Sequence, residues 1–418
     1  MKRRSLLSGL ATGLAMVAQV IPPPRARSAL AAAPPSTSAD VTNFSVPFGP
    51  TGSMGATRED QARLVQLLRA RVAAPLSDVI IYAHGWLTDA NDLMVIYDTV
   101  TLGYGRELRD LRRAGALSLS LPTSTLVIMT HWPSRHTENA RGPITGLLDL
   151  LPDLSSFAKM EARSNLVGST GMARLIGNMC EHLLADPDLA STQIHLIGHS
   201  FGCRVVASAL QTFARTAPRT FGAIQNRNLI NLVLLQAAFP SDALEPNSPA
   251  QAHPYAQLAN YRDLRVLVTM SEWDLALRRY YPAQEAVQPA DAMYARTIGT
   301  RAEIPALGGV GPTDATWKAF NGDLPRTAIS VGPGFRYRDA IMRPDQRLVV
   351  ADLTALHAAH YQQDMARPDD QLPPVGRPTR EAAGVTGYHS DIFNNEVYQL
   401  DIGFAYGTAG ARAGGSTT

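Results

Sequence analysis

Short runs of apolar and β-branched residues alternate along this chain with amphipathic stretches of helical length, from about Thr42 onward. "SDVIIYAHG" reads as a buried strand, and a helix is expected around Asp92 to Arg113. "STLVIMTHWP" follows as a strand, and Asn165 to Leu184 as a helix. "QIHLIG" is a strand with a helix over Cys203 to Arg215. "NLINLVLLQAA", "LRVLVTMS" and "RLVVADL" complete the strands, the last running into the helical "TALHAAHYQQD". Near-continuous apolar strands separated by helices imply βαβ units and a mainly parallel central sheet with helices on both faces. The expected fold class is therefore α/β. Two connections are longer than plain βα loops, Pro133 to Ser164 and Leu277 to Gln346. The apolar positions Ile144, Leu147, Leu148, Leu150, Leu151, Leu154 and Phe157 of the first either line a pocket or cover the sheet.

The ends follow a different pattern. A basic start, an apolar run from Leu6 to Ile21, the stop at Pro22 to Pro24 and the small-residue "SALAAAP" read as a cleaved export signal over residues 1–31. Arg3-Arg4 followed by Ser5-Leu6-Leu7 is similar to a twin-arginine signal, which implies a periplasmic or secreted bacterial protein. Residues 32–41 are an Ala/Pro/Ser-rich flexible lead-in, 42–405 the folded domain and 406–418 a disordered tail. No second stretch is long and apolar enough to span a bilayer.

Composition narrows the chemistry. The 418 residues are 45% hydrophobic and 18% charged, enough for a large core. With 38 basic against 36 acidic residues, no basic field recruits nucleic acid. Cys180 and Cys203 make no disulfide framework and no metal-ligand spacing; in an exported protein they could form one bridge, but the expected state is free and buried. No phosphate loop or dinucleotide turn is present, and no cofactor or metal is expected.

One strand end carries distinctive chemistry. In "IHLIGHSFG" a strand runs into Gly198-His199-Ser200-Phe201-Gly202 and then a helix. This is the setting of a nucleophile elbow, in which a sharp turn strains the serine and exposes its Oγ above the sheet. Side chains at Gly198 and Gly202 would collide with the neighbouring helix and strand. The helix that follows aims its first N–H groups at the site, favouring an oxyanion. Ser200 is the candidate nucleophile, and a base and a group orienting that base must accompany it.

In this the chain resembles the α/β-hydrolase superfamily over about residues 75–400. The blocks "VIIYAHGW", "THWPS", "GHSFG", "SEWDLAL" and "YHSDIF" are similar to a poorly characterised bacterial serine-hydrolase branch. The resemblance implies the order nucleophile, acid, histidine. His389, in the Gly-flanked "GVTGYHSDIFNN", is the base it implies, with Ser390 or Asp391 as N-cap of a closing helix. His357 and His360 are the alternatives, and their spacing also fits a metal pair lacking a third ligand. Asp274 in "SEWDLAL" is the implied acid, with Asp242 and, less directly, Glu272 as alternatives. The oxyanion donors are the N–H of Phe201 and, from the His84-Gly85 block, that of Trp86. His131-Trp132-Pro133-Ser134 either supports the turn or shapes the pocket wall.

The expected function is an esterase- or lipase-like serine hydrolase acting outside the cytoplasm on a small-molecule or lipid ester, a polyester-like substrate included. An amidase or thioesterase on the same triad stays open, since all share the oxyanion. So does an inert hydrolase-fold binding module, since fold does not fix function.

Overall fold

The computed structural model describes residues 41–55, 76–86, 88, 90–113, 124–134, 157–189, 191–227, 230–246, 255–282, 305–339, 343, 345–368, 371, 377 and 387–406. The expected signal segment, the lead-in but for Val41, the tail but for Tyr406 and the apolar run 144–156 lie outside them; Val41 and Tyr406, expected in the flexible ends, belong to a strand and a helix.

Eight strands form one sheet in which every pairing is parallel. They are β1 (Val41–Pro47), β2 (Leu76–Ala83), β3 (Ser124–His131), β4 (Gln193–His199), β5 (Ile230–Leu235), β6 (Arg265–Met270), β7 (Ala328–Ser330) and β8 (Leu348–Asp352). Their order across the sheet is β1-β3-β2-β4-β5-β6-β8-β7. The α/β class and the six strands read from sequence are present. The other two, β1 and β7, lie at the edges. There one flank needs no partner and an apolar run is not required, so Pro47 is tolerated in β1 and β7 is largely exposed.

The continuous apolar runs arise because each strand buries both faces. Val79, Ile81, Leu126, Ile128, Ile194, Leu196, Leu232, Leu234, Val266 and Val268 point into one core. Their alternates Ile80, Tyr82, Val127, Met129, Ile197, Val233 and Leu267 point into the other. Helices α2 (Phe157–Val167), α3 (Ala173–Ala185), α4 (Gly202–Thr216) and α5 (Pro218–Gln225) cover the first core. The helix expected from Asn165 to Leu184 is thus α2 and α3 joined through a π turn at Gly168–Met172. Within the second long connection, α6 (Asp314–Asn321) adds Trp317 and Phe320 to the first core.

The second core is covered by α1 (Ala90–Arg113), α7 (Thr354–Ala366) and α8 (Asn395–Tyr406). Leu93, Tyr97, Val100, Tyr104, Leu108 and Leu111 recur on the inner face of α1 at helical spacing. Tyr104 Oη donates to the buried Asp401 carboxylate of α8, and the Tyr104 and Tyr398 rings lie 4.8 Å apart. Burial raises the Asp401 pKa from 3.8 to about 7. The folded state therefore holds a proton that the unfolded chain releases. This stabilisation is complete at acid pH and is lost as pH rises from about 4 to about 7. Asp401→Asn should flatten that part of the profile, with its advantage over wild type growing toward pH 8. Urea unfolding of both proteins at pH 5 and pH 8 checks this, and parallel profiles would contradict it.

Candidate active site

β4 ends at His199, and the chain turns sharply at Ser200 to start α4 at Gly202. Ser200 has φ +55, a left-handed conformation that a serine occupies only where its surroundings hold it. They do so here: Ser200 N donates to Leu235 O at 3.0 Å, and Ala238 N to Ser200 O at 3.3 Å. The turn also needs room. A Cβ on Gly202 would lie 2.0 Å from the carbonyl oxygen of Ala83 at the end of β2, and one on Gly198 would lie 2.6 Å from the Cys203 nitrogen. Both obstacles are backbone and cannot rotate away. Gly202→Ala should destabilise the protein by about 3 kcal/mol, the upper part of the usual overpacking range, read as a lower urea midpoint. Cys203, just inside α4, is free and buried, with Sγ 3.1 Å from Gly198 O, and Cys180 is likewise free and buried.

The end of β2 lies against this turn. A Cβ on Gly85 would sit 3.0 Å from Ser200 Cβ, so the backbone leading into Trp86 passes directly beside the serine. His84 fixes its course. Its Nδ1–H donates to Gly85 O at 2.8 Å, and its Nε2 accepts from the Trp132 backbone N–H at 3.3 Å. Trp132 Nε1–H donates to His84 O at 2.9 Å, and the two rings stack 5.5 Å apart. Burial lowers the His84 pKa to about 3, which keeps Nε2 free of a proton and able to accept. Ser134 Oγ donates to Thr88 O at 3.0 Å, and Thr88 Oγ1 to Gly85 O at 3.1 Å. The "HWPS" block therefore supports the turn. The Trp86 and Phe201 rings meet edge to face at 5.9 Å.

After β6 the chain makes a turn through Ser271, Glu272, Trp273 and Asp274. Asp274 is fully buried, and both of its oxygens are used. Oδ2 lies 2.8 Å from His389 Nδ1, while Oδ1 accepts from Leu277 N at 3.0 Å. Asp274 thus pairs with the histidine and also caps the turn that follows. Gly387 makes the approach possible. Its φ is +62, and a Cβ there would come within 1.9 Å of Trp273 O. Tyr388 N donates to that same carbonyl at 2.9 Å. His389 keeps a partly exposed side chain, at 16%, beside the wholly buried carboxylate.

The alternative candidates have other surroundings. Glu272 is exposed and lies near Arg278. His357 and His360 are buried in α7. His357 Nδ1 lies 2.8 Å from Ser271 Oγ and its Nε2 3.2 Å from Asp391 O, while His360 Nδ1 lies 2.5 Å from Asp391 Oδ2. Among the described residues no group of three His, Cys, Asp or Glu is arranged to hold a metal. The cap expected at Ser390 or Asp391 is corrected. α8 begins at Asn395, and Asn394 Oδ1 accepts from Val397 N at 3.0 Å. Asp391 instead braces His360, tying the His389 loop to α7.

Gln236 is a buried residue beside this site that the sequence motifs do not mark. It is fully buried, has φ +45, and its Nε2 donates to Tyr388 O at 3.3 Å. The signal for it is a lone polar residue inside "VLLQAAF".

No protein-family model matches the chain, and no curated protein matches it. Among solved structures, the chain is similar to a phospholipase, PlaB from Legionella pneumophila in complex with thio-NAD, at 13% identity and a TM-score of 0.25. That match covers 51% of this chain and 41% of the phospholipase chain.

Proposed function

We propose that this protein is an exported serine hydrolase of the α/β-hydrolase type that cleaves carboxylic esters through Ser200, His389 and Asp274. The observation that carries the reading is that a strained serine follows β4 and a buried carboxylate 2.8 Å from a histidine follows β6, at the same edge of one parallel sheet. The two are linked by the contact of His199, next to Ser200, with the His389 backbone. In this reading Ser200 Oγ attacks the ester carbonyl as its proton passes to His389 Nε2, and Asp274 stabilises the resulting imidazolium. The N–H groups of Phe201 and Trp86 hold the oxyanion. Collapse expels the alcohol, which takes the proton back from His389. Water activated by the same imidazole then hydrolyses the acyl-enzyme. The N-terminal signal pattern supports action outside the cytoplasm, and the apolar positions of the sequence between Ile144 and Phe157 support a lipid- or polyester-like substrate. Among the described residues no helix is long and apolar enough to cross a membrane.

The test is labelling of the purified protein with a fluorophosphonate, followed by peptide mapping. Modification at Ser200, absent from Ser200→Ala and slowed in His389→Ala, is the expected result. An ester, thioester and amide panel then assigns the bond. A folded protein that takes no label overturns the reading in favour of an inert binding module.

A further inference from the structure

Just two residues other than glycine have positive φ among the described residues, Ser200 and Gln236. They are far apart in sequence and adjacent in space. His199, which precedes Ser200, pairs with Leu235, which precedes Gln236, in the β4–β5 register. A left-handed non-glycine residue is strained, so the surroundings must impose it. At Gln236 they are a backbone N–H donated to Thr269 Oγ1 at 2.9 Å and a side chain turned toward the His389 loop. Gln236 Oε1 is buried and has no hydrogen-bond partner among the described residues. The side chain is therefore placed for its Nε2, not for satisfaction of the whole amide.

The loop that carries His389 presents two consecutive carbonyls to the sheet. Tyr388 O accepts from Gln236 Nε2 at 3.3 Å, and His389 O accepts from His199 Nε2 at 3.0 Å. A carbonyl only accepts, so His199 carries its proton on Nε2. We propose that His199 and Gln236 are positioning residues that grip these two carbonyls and thereby aim the His389 imidazole between Asp274 and Ser200. The inference rests on the hydrolase reading above and gives a positioning role to two residues that take no part in its chemical steps. Burial, and next the neighbouring His389, lower the His199 pKa to about 3. His199 is therefore neutral at working pH. It keeps its donor, and it adds no positive charge 5.0 Å from the ring that must itself become positive.

The grip acts on orientation, so its loss should appear in kcat rather than KM. His199→Phe and Gln236→Met remove the donors while keeping approximate volume. Each should lower kcat about 10- to 100-fold with KM changed less than about threefold, the scale expected when a reacting group is displaced by an ångström. In His199→Gln the new amide reaches the old Nε2 position and should recover kcat to within about fivefold of wild type. A structural role alone would order these variants by melting temperature, not by donor. The second readout needs no turnover: the low-field proton NMR signal of His389 Nδ1–H shared with Asp274. It should be present in wild type and His199→Gln, and broadened or lost in His199→Phe and Gln236→Met. Donor-less variants that keep both the signal and the wild-type kcat overturn the grip while the hydrolase reading stands. A signal present in wild type and lost in His199→Phe and Gln236→Met, from a protein that takes no fluorophosphonate, supports the grip on the loop and overturns only the hydrolase reading. Absence of the signal from wild type overturns the grip. Should His199→Phe fail to fold, Gln236→Met decides alone.

Discussion

Replacing Ser200 with alanine should lower kcat for an ester substrate by about 10^4- to 10^6-fold, the scale seen when a triad nucleophile is removed, and abolish fluorophosphonate labelling. Stability should barely change, because alanine keeps the Cβ and the backbone remains in the same conformation. Ser200→Gly is the more informative companion. Glycine adopts φ +55 without a steric penalty, so this variant should be equally inactive but more stable than wild type by about 1 kcal/mol. Urea unfolding of the three proteins in one buffer measures the difference. An alanine variant more stable than the glycine variant, the order that chain entropy alone sets at an unstrained site, would mean that the turn stores no strain at Ser200. In the proposed hydrolase the stored strain would fix Oγ at the head of α4 before substrate arrives, so that it is offset in folding and not at the reaction step.

The parts of this fold legible in the sequence are those where burial is two-sided. β2 to β6 and β8 read as strands because both faces of each are buried and most of their positions are apolar. β1 and β7 escaped definition as strands because edge residues face solvent on one flank. Ser200 was legible for a related reason. Only glycine fits at Gly198 and Gly202 against the backbone of α4 and β2, so the motif records a packing constraint. The pairing of His389 with Asp274 rather than Asp242 needed chain order supplied by resemblance, since spacing contains nothing about contacts 115 residues apart. Asp391 was misplaced as a helix cap. Its sequence neighbourhood looks like a cap, while its partner His360 comes from α7. Gln236 does not stand out in the sequence because its placement depends on a backbone angle and on a loop 152 residues away.

Asp274→Asn should give the second-largest effect, a fall in kcat of about 10^3- to 10^4-fold with little change in KM. The substitution keeps the shape and lets Oδ1 go on accepting the Leu277 N–H, so the turn and the melting temperature should be preserved. What changes is the group at 2.8 Å from His389 Nδ1. A carboxylate oxygen there requires Nδ1 to carry the proton, leaving Nε2 open to receive one from Ser200. An amide NH2 there requires Nδ1 to accept, so the proton moves to Nε2, where the imidazole cannot act as base toward Ser200. The loss is thus one of tautomer and of imidazolium stabilisation, not of packing. Asp274→Ala would confound the two by also removing the cap. Asp242→Asn is the matched control, since Asp242 follows β5 at the other position from which an acid is supplied in the resembled superfamily. It should retain near-wild-type kcat. The reverse outcome, with activity lost in Asp242→Asn and kept in Asp274→Asn, would move the acid to β5. The 2.8 Å contact would then be a brace for the loop, leaving Ser200 and His389 in the same roles.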